Sequence, residues 1–149
     1  STLKEFETSY DLRIASAHRS PDFVHSLVCD FDKNGGKVII AVAGKSAHLA
    51  GVVAAMTTKP VLAVPIYNPE TSGMDSLLSM SQMPAGIPVA TMGFGKSGFT
   101  NSCLLALQTI ALTKPTLQEQ LKEYRNMLRE KVLINDEKYR QNYNTGSIS

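Results

Sequence analysis

The sequence predicts a three-layer α/β sandwich built on a parallel sheet, and three observations carry that prediction. Strand-like and helix-like segments alternate along the chain, the order that gives parallel strands joined by crossover helices. Val38-Ile39-Ile40-Ala41-Val42 is a continuous, largely β-branched run, as expected of a strand buried on both faces. Two polar clusters, Ser16-Ala17-His18-Arg19-Ser20-Pro21-Asp22 and Gly44-Lys45-Ser46-Ala47-His48-Leu49, each fall where a strand gives way to a helix. That edge is where open α/β sheets bind their ligands.

The elements follow in order. Ser1 to Phe6 reads as the end of an amphipathic helix, which predicts that the fold starts upstream of Ser1. Tyr10 to Ala15 alternates loosely and reads as a strand. Ser20 is a candidate cap for the next helix, with Pro21 at its first position and Asp22 near its positive end. Phe23, Val24, Leu27, Val28 and Phe31 recur at helical spacing until Asn34-Gly35-Gly36 stops them. After the Val38–Val42 strand comes a small-residue helix from Ala47 to Met56, then a strand from Pro60 to Ile66. A loop through Asn68-Pro69 leads to a helix from Met74 to about Gln82, and Ile87 to Met92 reads as the last strand. An apolar helix from about Asn101 to Leu112 follows. A C-terminal amphipathic helix, roughly Leu117 to Val132, carries Leu117, Leu121, Tyr124, Leu128 and Val132 on one face. The expected organisation is one catalytic domain over residues 1–134 and a loose polar tail over 135–149.

Composition narrows the function classes. The chain has 149 residues, 43% of them hydrophobic and 19% charged, which suits one globular domain with a real core. The net charge is only +2 and the basic residues form no block, so no nucleic-acid partner is expected. No apolar run approaches the length of a membrane span, so no membrane partner is expected either. Cys29 and Cys103 lie far apart, each inside an apolar helical pattern. They read as buried, reduced thiols of a cytoplasmic protein. No cluster has metal-ligand spacing, so a metal is not expected.

Two Gly-Lys-Ser triplets invite a phosphate-loop reading and both fail it. That loop needs a glycine five positions before the Gly of the triplet, where this chain has Ile39 and Ala90. Gly93-Phe94-Gly95-Lys96-Ser97-Gly98 matches a dinucleotide fingerprint, but no acidic residue ends a strand about twenty positions later. A tight strand-to-helix turn is the better account. His25 sits inside a helix and reads as structural, whereas His18 and His48 each stand at a strand end. Histidine exchanges protons near neutral pH with little tuning, which makes those two the candidate catalysts. Arg19 offers a fork for phosphate, with Ser16, Ser20 and the helix start at Pro21 beside it; pairing with Asp22 is its plainer role. The Gly44-Lys45-Ser46 turn, leading into a helix, is a candidate holder of a carboxylate or carbon dioxide-derived group.

At these residues the chain resembles a known family. Ser16 to Asp22, Ala43 to Val61, Ser72 to Ser79 and Gln82 to Thr91 are similar, motif by motif, to the catalytic subunit of phosphoribosylaminoimidazole carboxylase. The bacterial form of that family is the N5-carboxyaminoimidazole ribonucleotide mutase. The resemblance implies a flavodoxin-like sandwich, a cytoplasmic octamer with active sites between subunits, a small ribonucleotide substrate, and a reaction without metal, ATP or biotin. Carried onto this chain, it implies that His18 and His48 are catalytic. It implies too that Ser16, Ala17 and Arg19 hold the nucleotide, while Gly44, Lys45, Ser46, Ala47 and Leu49 confine the carbon dioxide. Two departures stand out. The family opens with a strand ending in Gly-Ser-x-Ser-Asp, which nothing before Ser16 matches. The mutases also carry Gly-Gly-Ala where this chain has Gly44-Lys45-Ser46; a basic residue followed by serine is closer to enzymes that carboxylate aminoimidazole ribonucleotide directly. The mutase is the expected activity, with direct carboxylation, or an inactive nucleotide-binding or assembly module, as the alternatives.

Overall fold

A computed structural model describes residues 2–143. The chain divides into two compact units, Ser1–Ile110 and Ala111–Ser149. In the first, α1 (Thr2–Glu5) precedes α2 (Pro21–Lys33), β1 (Ile39–Ala43), α3 (Leu49–Ala54), β2 (Val61–Pro65), a 3-10 turn at Pro69–Thr71, α4 (Met74–Ser81), β3 (Ala90–Thr91) and α5 (Gly95–Ala111). The strands pair in parallel in the order β1-β2-β3, with Ile39 opposite Val61 and Leu62 opposite Ala90. Helices cover both faces of this sheet, as the α/β prediction requires.

Why these residues form these elements is visible in the bonds. Pro21 opens α2, where its missing N–H costs nothing. The helix ends in a paired closure, Gly36 N–H donating to the Phe31 carbonyl at 2.9 Å and Gly35 N–H to Asp32 at 3.2 Å. Every residue of β2 is buried, so its run Val-Leu-Ala-Val-Pro is the central strand. Its alternation sends Val61 and Ala63 into a core with Val24, Val28, Ala41, Ala47, Ala50, Val53 and Met80. The small residues of α3 let it lie close on β1 and β2. At α5, a Cβ on Gly98 would collide with the Gly93 carbonyl oxygen. The glycines of that pattern therefore serve a tight strand-to-helix turn, as expected.

Several expectations are corrected. Tyr10 to Ala15 is not a strand. Among the described residues β1 pairs with β2 alone, and an extended segment without a ladder partner is not part of a sheet. Its apolar side, Leu12 and Ile14, is 79% and 95% exposed. β1 is not buried on both faces either, because Val42 is 41% exposed. Ser20 caps α2 with no side-chain bond; its hydroxyl turns back to Ser16 instead. Strand β3 is shorter than Ile87–Met92, although Met92 N–H still reaches the Ala63 carbonyl at 2.8 Å. Helix α3 is shorter than Ala47–Met56, and α5 starts at Gly95 rather than Asn101.

In the second unit α6 spans Pro115–Tyr143. Its start is pinned by the Gln118 amide, which donates to the Ala111 carbonyl at 2.8 Å. It passes well beyond Val132, so residues 135–143 are helical rather than loose, and the remainder of the expected tail, 144–149, lies outside the described residues.

Candidate active site

The two strand-end histidines meet. His18 stands in the turn Ala17–Arg19 before α2, and His48 is the N-cap residue of α3. His18 Nε2 and His48 Nδ1 are 2.8 Å apart, with the rings edge to face at 79°. At that distance one nitrogen donates and the other accepts. One N–H therefore lies on the line between the two rings. Both rings are exposed, so their free nitrogens are open to a ligand.

The turn that presents His18 is knotted by two serines. Ser20 N–H donates to the Ser16 carbonyl at 2.9 Å, and Ser16 N–H donates to Ser20 Oγ at 3.0 Å. Ser20 Oγ donates back to the Ser16 carbonyl at 3.1 Å, while Ser16 Oγ accepts the Arg19 N–H at 3.2 Å. This bracing fixes Ala17 and His18 without drawing on the Arg19 side chain. The expected Arg19–Asp22 pairing does not form: the ion pairs among the described residues are Arg13–Asp11 and Lys122–Glu119. Arg19 is thus an exposed guanidinium without an ion-pair partner, one residue from the histidine pair.

The Gly44–Leu49 segment follows β1 directly. A Cβ on Gly44 would sit 3.1 Å from Ile66 Cβ, a tight approach that Ile66 would have to yield to. The next residue, Lys45, has φ +58°. Ala47 is buried against the core and Leu49 packs partly on it, so they anchor the segment while Lys45, Ser46 and His48 face solvent. A cavity of about 390 Å³ opens beside it, lined by Gly44, Lys45, Ile66, Tyr67, Asn68 and Pro69. Neither histidine lines this cavity; Gly44 and Lys45 join the two features.

The Ile66–Pro69 wall is what sequence reasoning missed. Asn68 Nδ2 donates to Asp75 Oδ2 at 2.9 Å, and Asn68 Oδ1 accepts the Glu70 N–H at 3.2 Å. Ser76 Oγ donates to the Ile66 carbonyl at 2.8 Å. The Asn68 bond, with further bonds from Thr71 and the Ser76 N–H, holds the Asp75 carboxyl below the usual carboxylate range. The signal was present in Ser72-Gly73-Met74-Asp75-Ser76, whose Asp75 and Ser76 brace this wall.

Of the remaining singled-out groups, Cys103 is buried as expected and burial pushes its thiol up. Cys29 is only half-buried, its sulfur 3.8 Å from both nitrogens of His25. Among the described residues no group of three or more His, Cys, Asp or Glu is placed to hold a metal ion, and no helix is long and apolar enough to cross a membrane.

Comparison with known proteins shows the family of the chain. The family model described as AIR carboxylase matches residues 1–131. The chain belongs to the AIR carboxylase family. Among its relatives, the N5-carboxyaminoimidazole ribonucleotide mutase of Methanocaldococcus jannaschii is 46% identical over 140 residues, covering 93% of this chain and 85% of that protein. The protein of the same name from Bacillus subtilis is 45% identical over 131 residues, covering 88% of this chain and 81% of the relative. The one from Escherichia coli is 44% identical over 126 residues, covering 85% and 75%. The crystal structure of Treponema denticola PurE superposes with a TM-score of 0.84 at 28% identity, covering 92% of this chain and 84% of that one. The flavodoxin-like sandwich is therefore the fold of this AIR carboxylase family member.

Proposed function

We propose that this chain is an N5-carboxyaminoimidazole ribonucleotide mutase of purine biosynthesis. The observation that carries the reading is its 46% identity to a protein of that name over 93% of its length. The histidine pair at the sheet edge supplies chemistry that suits it. The reaction moves a carboxylate from the exocyclic nitrogen of an aminoimidazole to the adjacent ring carbon. Protonation of that nitrogen breaks the N–C bond and releases carbon dioxide. The enamine-like ring carbon then attacks the carbon dioxide, and loss of its proton restores aromaticity. One proton is given and one is taken back, so a single carrier suffices.

His18 is the proposed carrier, with His48 as the partner 2.8 Å away that accepts or returns a proton. Arg19 and Ser16 bind the nucleotide phosphate, and Ala17 keeps the turn narrow beside it. Gly44, Lys45, Ser46, Ala47 and Leu49, with His48, confine carbon dioxide and orient the carboxylate, which replaces diffusion by proximity. No metal or organic cofactor enters this scheme. The proposed organisation is one catalytic domain over residues 1–134, assembled as a cytoplasmic octamer. Exposed Leu128, Val132, Tyr139 and Tyr143 on α6 support association.

Direct carboxylation of aminoimidazole ribonucleotide is the second reading, favoured by Lys45 where the mutases carry glycine. Assays with N5-carboxyaminoimidazole ribonucleotide, and separately with aminoimidazole ribonucleotide plus bicarbonate, decide between them. Conversion only from the carboxylated nucleotide is expected. Efficient product formation at modest bicarbonate would replace the mutase by the carboxylase, and silence in both would leave a binding module.

A further inference from the structure

Ser76 is fully buried, and its hydroxyl takes no part in the chemistry proposed above. A buried hydroxyl needs a partner, and which partner it takes shows what it holds. The other fully buried polar side chain among the described residues, Ser102, bonds back to the Phe99 carbonyl within its own helix. Ser76 reaches outward instead. Its Oγ donates to the Ile66 carbonyl, ten positions earlier, at 2.8 Å, while the Gly73 carbonyl of its own turn is farther off at 3.3 Å.

The reason lies in how the sheet ends. β1 and β2 pair from Ile39 opposite Val61 to Ala43 opposite Pro65, and the Ile66 N–H makes the last rung, to the Ala43 carbonyl at 2.8 Å. The evenly spaced bonds of a parallel ladder would next bring the Lys45 N–H to the Ile66 carbonyl. Among the described residues that rung is not made, because the chain turns at Lys45, whose φ is +58°. The Ser76 hydroxyl stands in for the missing donor. Ile66 is thus held on both sides, by Ala43 through its N–H and by Ser76 through its carbonyl. Its side chain lies against Gly44, where a Cβ would come within 3.1 Å of Ile66 Cβ. Gly44 opens the turn that leads to His48, and His48 Nδ1 is 2.8 Å from His18 Nε2.

We propose that Ser76 is a positioning residue for the reaction: by replacing the last rung of the ladder it fixes Ile66, and through Ile66 the Gly44–His48 turn that sets His48 against His18. Its catalytic half rests on the function proposed above. Ser76 acts through Ile66 and not on the substrate. Removal of its hydroxyl leaves a buried carbonyl unpaired, and a small drift of His48 then costs rate rather than binding.

The test compares the full chain with Ser76→Ala and with Leu107→Val, a control that trims a fully buried side chain of α5. The readouts are steady-state kinetics on N5-carboxyaminoimidazole ribonucleotide, thermal melts, and backbone hydrogen exchange followed by mass spectrometry. Ser76→Ala should lower kcat about tenfold or more, with KM within about twofold of the parent. Exchange over residues 44–48 should quicken about tenfold, while exchange over 21–33 stays as it is. Leu107→Val should melt lower yet leave kcat and the exchange of 44–48 at the parent's values. Unchanged kcat or unchanged exchange over 44–48 in Ser76→Ala would overturn the proposal, as would a loss of kcat that Leu107→Val matches at an equal loss of melting temperature. If the unaltered protein converts neither the carboxylated nor the uncarboxylated aminoimidazole nucleotide, the proposed function falls, and exchange over 44–48 alone decides whether Ser76 holds the turn.

Discussion

His18 Nε2 lies 2.8 Å from His48 Nδ1, although the two residues are 30 positions apart in the chain. Each is delivered by the same device, a polar turn between an extended segment and a helix. Their contact brings two motifs that are separate in the chain to one place.

His18→Asn should remove the proton carrier and keep a side chain of similar reach. The expected result is a loss of kcat of about 100-fold or more with little change in KM. Steady-state kinetics on N5-carboxyaminoimidazole ribonucleotide measure both. Near-normal turnover would end the assignment of His18.

Among the described residues Arg19 has no ion-pair partner, so its replacement should fall on binding. Arg19→Ala is expected to raise KM by about tenfold or more, with a smaller effect on kcat, since a charge-assisted contact to phosphate is lost. The melting temperature should not move. A folding defect without a change in KM would contradict the placement.

Asp75 supplies a pH dependence whose sign is fixed. Its carboxyl is held below the ordinary range, chiefly by the Asn68 amide. A group with a lowered folded-state pKa contributes stability above its unfolded value and loses it as pH falls through the folded one. Asp75→Ala should therefore melt lower than the parent at neutral pH, and the gap should narrow toward strongly acidic pH. Thermal melts across that range measure it, and a gap that widens in acid would contradict the account.

The two thiols should separate by rate. Half-buried Cys29 is expected to react with an aromatic disulfide promptly, and Cys103 only slowly, because it is buried and its thiolate is disfavoured by desolvation. Cys29→Ser should abolish the fast phase. Two equal fast phases in the native protein would show that α5 opens.

How much of this was legible in the sequence depends on what each residue's signal reports. The Val38–Val42 run and the Pro60–Ile66 run announced β1 and β2, because burial in a parallel sheet leaves an unbroken apolar stretch. Tyr10 to Ala15 carries a similar alternation but has no ladder partner among the described residues, and pairing is not written in one segment's own residues. Helix α6 runs on to Tyr143 because no glycine or proline interrupts residues 116–142. Its polar stretch lacks the apolar stripe that periodicity detects, although many of its residues are strong helix formers. The candidate site was legible in part. The residue types at two strand ends pointed to His18 and His48, but their 2.8 Å contact is a tertiary fact. Tyr67 and Asn68 were missed because aromatic and amide side chains in a loop look like any turn until Asp75 and Ser76 are seen to hold them.

The most direct test of the central claim follows the carbon. The full chain would be given N5-carboxyaminoimidazole ribonucleotide labelled with carbon-13 in its carboxylate, in buffer holding excess unlabelled bicarbonate, and the product read by mass spectrometry. Transfer through carbon dioxide confined at the His18–His48 edge predicts product that keeps the label. Product carrying unlabelled carbon at the level of the bath would contradict it, and would mean that carboxylation draws on solution instead.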